Sequence, residues 1–168
     1  MWKVTFRKHT VFFLAKTQYM PSVSGVRVNL DLEKLQRVQN TAARLICNIS
    51  KFDHITPTLV KLHWLPVRHR INFKILLITF KVIHGVAREY LGELLTYKNK
   101  CNYNLRSTSE ILLQQHRIKT LRTLGDRSFA VAAPKLWNNL PNAIRSARSI
   151  NSFKKLLNTH LFKISFDL

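Results

Sequence analysis

Apolar and polar positions alternate with a helical period over most of the chain. From Asp31 onward, Leu32, Leu35, Val38, Ala42, Ala43, Leu45 and Ile46 fall on one side of a helix turning about 100° per residue. Asp31 suits the N-cap of this helix, and the pattern carries it to Ile46. Arg37 and Arg44 project from the opposite side, with Glu33 one turn before Arg37 and placed to pair with it. Thr56 and Pro57 read as the cap and first residue of a short helix, PTLVKLH.

Between Pro66 and Gly85 the pattern changes. Val67, Ile71, Ile75, Ile78 and Val82 share one arc, and Phe73, Leu76, Leu77, Phe80 and Ile83 share a second. Two narrow polar stripes separate them: Arg68, Asn72 and Thr79 on one side, Arg70, Lys74 and Lys81 on the other. A helix apolar on two sides is held between neighbours. This stretch is therefore expected to be the central helix, showing a basic edge through a gap. Proline suits its start and glycine the position past its end.

Downstream, REYLGELL (88–95) predicts a short amphipathic helix. ILLQQ (111–115) and IKTLR (118–122) are strand-length runs that predict a short β-hairpin. GDRSFAVAAPKLWNNLP (125–141) predicts a helix broken at Pro134. Ser149 caps a last helix whose inner face is Ile150, Phe153, Leu156, Leu157 and Leu161, with Lys154, Lys155 and Lys163 off that face. The pattern before Asp31 has no clean period. The expected fold is mainly α: a small single-domain helical bundle around a buried central helix, with residues 1–30 as a divergent N-terminal extension and 31–163 as the domain.

Charge narrows the function. The chain of 168 residues holds 28 Lys plus Arg against 8 Asp plus Glu, a formal +20. Such a surplus repels itself in the folded state and attracts polyanions, so the backbone of RNA or DNA is the expected partner, with an anionic membrane surface second. A fragment of a larger protein whose other parts carry the acids fits the same balance. No window approaches the roughly 20 apolar residues of a membrane span. The first thirty residues are basic and free of acids, which also fits a mitochondrial presequence; otherwise the nucleus or cytoplasm is expected. The cysteines, Cys47 and Cys101, form neither a C-x-x-C nor a disulfide framework.

Four blocks carry a resemblance: LQRVQNTAARLI (35–46), DHITP (53–57), LHWLPVRHRINFKILLITFKVIHG (62–85) and GDRSFAVAAPKLWNNLPNAIR (125–145). Together and in this order they resemble the region that follows the polymerase in LINE-type (non-LTR) retrotransposon reverse transcriptases. The resemblance covers residues 31–163 and implies an origin in a polyprotein that copies RNA into DNA. Arg88 stands where that family usually has proline after the His-Gly pair, and residues 1–30 do not match.

The activity is not expected to come with the resemblance. Nucleotidyl transfer by a reverse transcriptase needs paired aspartates to hold two metal ions. Asp31, Asp53, Asp126 and Asp167 stand apart from one another, and no aromatic-x-Asp-Asp motif occurs. Two cysteines do not build a zinc knuckle. The seven histidines include no H-x-x-x-H pair, so neither a metal nor a cofactor is expected. His160, Trp64 and Trp137 read as core residues before they read as ligands or base-stacking platforms. The candidate nucleic-acid-binding residues are Arg70, Lys74 and Lys81, a strip about 16 Å long at a rise of ~1.5 Å per residue, extended by Arg37 and Arg44 if the first helix lies alongside. Three readings follow: a noncatalytic nucleic-acid-binding module, an accessory part that works beside a reverse transcriptase polymerase domain supplied in trans, and a transposon relic without a selected role.

Overall fold

The computed structural model describes residues 25–98, 111–115 and 128–167. Seven helices run through them: α1 (Gly25–Cys47), α2 (Thr56–Lys61), α3 (Val67–Ile83), α4 (Glu89–Gly92), α5 (Phe129–Asn138), α6 (Asn142–Arg145) and α7 (Ile150–Phe166). The fold is mainly α, and α3 lies at its centre against α1, α4, α5 and α7.

The second apolar arc of α3 forms the core. Leu76 and Phe80 are buried with Trp137 of α5 and Phe153, Leu157 and Leu161 of α7. Phe80 stacks on Phe153, and Trp137 is tilted against both rings. Thr79, expected in a polar stripe, is fully buried and satisfies its hydroxyl by donating to the Ile75 carbonyl at 2.9 Å. The first arc is less covered. Val67 is buried where α1 meets the start of α3, whereas Ile71, Ile75, Ile78 and Val82 are only half-buried. The helix is thus enclosed on one side and half-covered on the other. A smaller cluster joins Ala43 of α1, Leu59 of α2 and Trp64, with Phe166 from the end of α7 against it.

Three helices end alike. Asn48, His63 and Gly85 take left-handed backbone with φ of 49°, 52° and 68°. Each is followed by an amide that reaches back five residues: Ile49 to Arg44, Trp64 to Leu59, and Val86 to Lys81. Glycine and asparagine are the usual residues for this closure; histidine at 63 is not.

Several expectations change. α1 starts at Gly25, so Asp31 lies within the helix and pairs with Lys34 at 3.7 Å instead of capping it. Its apolar face is also turned: Val38, Leu45 and Ile46 are exposed, while Gln39 is 1% exposed beside Ala43. Thr56 is the first residue of α2 and Ile55 its cap, one residue off the expected register. The 88–95 helix shrinks to the single turn of α4.

α5 continues through Pro134, which costs one backbone hydrogen bond and buries its ring in the core. Ser149 caps α7 as expected, accepting from the Ser152 amide at 3.1 Å, but Leu156 of the expected inner face is exposed. The second arm of the expected hairpin lies outside the described residues. The first arm, Ile111–Gln115, runs antiparallel to residues 96–98 through a bridge between Tyr97 and Leu113.

Candidate nucleic-acid interface

The four residues His63, Trp64, Leu65 and Pro66 turn the chain from α2 into α3, and each has a separate task. His63 supplies the left-handed turn and lies against Phe162 of α7. Trp64 enters the small cluster. The Leu65 carbonyl accepts twice, from Gln39 Nε2 at 2.9 Å and from Arg70 Nε at 2.8 Å. Pro66 occupies the N-cap of α3 with extended ψ, and the first helical amide, Val67 N–H, donates to Gln36 Oε1 at 2.9 Å. Two glutamines of α1 therefore hold the backbone at the start of the central helix.

Arg70 is fixed by this turn. Long helical side chains lean toward the N-terminus of their helix, and its guanidinium accordingly reaches back to Leu65. It also lies over the Trp64 ring, 5.8 Å from the centroid. Burial lowers its pKa from the ordinary arginine value, yet an arginine remains cationic at neutral pH. Lys74 is exposed one turn further on, and Lys81 is half-buried near the end of the helix. The three keep to one edge of α3, beside the half-covered Ile71 and Ile78.

Arg37 and Arg44 do not continue that edge. At about 100° per residue they lie roughly 140–160° around α1 from Gln39, the residue that meets the start of α3. Arg37 is exposed, and Arg44 donates to the Asp53 carbonyl at 3.1 Å, which ties the end of α1 to the following loop. Both therefore lie on the side of α1 away from the turn into α3.

Other chemistry can be placed as well. Among the described residues, no group of three or more His, Cys, Asp or Glu comes together as a metal site would require. His69 has its pKa lowered by burial and then by the nearby Arg68 charge, and its Nδ1 is buried with no partner among the described residues. Trp64 and Trp137 are both buried, and Trp137 donates its indole N–H to the Ile111 carbonyl at 2.9 Å, so neither presents a face for a base. His160 is half-buried on α7. No described helix is long and apolar enough to cross a membrane.

No protein-family model, curated protein or solved structure matches the chain. Its chemistry therefore rests on its own residues.

The supporting residues that the apolar pattern passed over are Gln36, Gln39 and Asn138. The first two lie one turn apart beside Ala42 and Ala43, whose small side chains let a neighbouring backbone approach. Asn138 faces Leu113 with both ends of its amide: Oδ1 accepts the Leu113 N–H at 3.0 Å and Nδ2 donates to its carbonyl at 2.8 Å.

Proposed function

We propose that this chain is a noncatalytic nucleic-acid-binding module, derived from the post-polymerase region of a retrotransposon reverse transcriptase, that grips phosphates through the basic edge of α3. Charge supports this reading above all. Lys plus Arg outnumber Asp plus Glu by 28 to 8, and between described residues one ion pair forms, Lys34 with Asp31. The eight acids are too few to neutralise 28 cations, and a polyanion is a partner that would relieve the surplus. Arg70, Lys74 and Lys81 span about 16 Å of helix, enough for two or three successive phosphates of a single strand. Contacts of this kind hold the backbone and carry no base information.

The test is a triple substitution of Arg70, Lys74 and Lys81 to Gln. Affinity for unrelated oligonucleotides should fall by similar factors, and the slope of log affinity against log salt should flatten by about two to three units. An unchanged slope in a folded triple variant would move the interface elsewhere, with the exposed Lys154, Lys155 and Lys163 of α7 next in line.

One observation favours a second reading, an accessory part beside a polymerase domain supplied in trans. Val38 and Leu45 stand 61% and 78% exposed on α1. Co-expression with such a domain, followed by size-exclusion chromatography, separates the two: co-elution that Val38→Ser with Leu45→Ser abolishes supports the accessory reading.

A further inference from the structure

Arg70 occupies a setting that Lys74 and Lys81 do not share. Its Nε is committed to the Leu65 carbonyl, its central carbon lies over the Trp64 ring, and the same carbonyl also accepts from Gln39. The guanidinium is thereby fixed in place while no described residue accepts from its Nη pair. Partial burial of a cation costs solvation and is ordinarily answered by a carboxylate. Among the described residues none forms an ion pair with Arg70. The surroundings offer the charge no relief, because the first turn of α3 holds no acidic residue.

We propose that Arg70 is a preset clamp for a phosphate group, its Nη pair gripping two phosphate oxygens while Trp64 and the Leu65 carbonyl hold the guanidinium still. This deepens the phosphate-binding reading of the α3 edge and rests on it. The three cations then do different work. Lys74 and Lys81 supply point charges on flexible stems, whereas the clamp depends on a planar fork and on an Nε that no lysine has. A lysine at position 70 keeps the charge and loses both. Trp64 reports on the event, since a phosphate drawn to Arg70 alters the cation lying over its ring.

Two sources of phosphate are distinguished by two probes, used on the full chain. With a single-stranded oligonucleotide, Arg70→Lys should weaken binding about tenfold, nearly as much as Arg70→Gln, whereas Lys74→Arg and Lys81→Arg should stay within about twofold of the parent. With inorganic pyrophosphate, tryptophan emission should change saturably in the parent chain and not in Trp64→Phe. Wild-type oligonucleotide affinity in a folded Arg70→Lys chain overturns the clamp and leaves the charged-edge reading standing. A saturable, Arg70-dependent pyrophosphate response without oligonucleotide binding keeps the clamp and overturns the nucleic-acid reading. If Arg70→Lys fails to fold, the pyrophosphate titration decides alone: an emission change lost in Trp64→Phe supports the clamp, and no saturable change overturns it.

Discussion

Phe80 and Phe153 stack with ring centroids 4.2 Å apart and planes 20° from parallel, joining the central helix to the last one. His84 stacks on Phe80 as well, with centroids 3.9 Å apart, so the ring is central to both contacts. Truncating Phe80 to Ala should cost about 3–5 kcal/mol of stability, the range for a large buried aromatic. A denaturant titration measures it, and a loss under about 1 kcal/mol would mean that α3 and α7 are not packed together in solution.

Asn138 tests the short extended segment at Leu113. Leu113 is 1% exposed, and both of its backbone polar groups meet the Asn138 amide. Asn138→Ala leaves an N–H and a C=O unpaired in the interior and should cost about 2–3 kcal/mol. Asn138→Asp keeps the acceptor, removes the donor and sets a carboxylate against a carbonyl, so it should do no better. Stability within about 0.5 kcal/mol of the parent would show that the segment detaches readily.

Acid should weaken the fold through His69. Burial lowers its folded pKa below the unfolded value of 6.5, so the unfolded chain binds the proton more readily. The stability that neutral His69 secures is present above the unfolded pKa and declines as the pH falls from there toward the folded pKa. Denaturant midpoints measured between neutral and mildly acidic pH should fall with pH, and less steeply in His69→Gln. Parallel profiles for the two chains would assign the acid sensitivity to another group.

Primer extension addresses catalysis directly. With RNA or DNA templates and added magnesium or manganese, the purified chain should incorporate no nucleotide, because no adjacent pair of aspartates is present to hold two metal ions. Template-dependent incorporation would contradict the noncatalytic reading.

The central helix was legible because its signals agree. Proline, glycine and the Leu76–Phe80 arc all point to the same limits and the same buried side. α7 was legible in its cap and in Phe153, Leu157 and Leu161. The first helix misled for a physical reason. Its apolar residues suggested that Val38, Leu45 and Ile46 face inward, but the start of α3 offers an amide and a carbonyl that need partners. Satisfying those groups turns Gln36 and Gln39 inward and leaves Val38 and Leu45 outside. Within the candidate site, the strip on α3 could be read from spacing alone. The separate setting of Arg70 could not, since it depends on a carbonyl contributed by the preceding loop.

The bond from Val67 to Gln36 links two events in time. An α-helix begins with amides that lack partners of their own, and here the first of them is satisfied by a side chain 31 residues earlier. When α1 lifts away, α3 loses its first amide contact along with the second donor on Leu65, while its far end remains stacked in the aromatic core. The Val67 amide is then a reporter of α1 docking. Its hydrogen exchange should follow the partial opening of α1, faster than that of Leu76 or Phe80, and Gln36→Ala should speed it selectively. The basic edge would consequently begin on a helix end that can fray, and a strand bound across Arg70 would slow that fraying from outside.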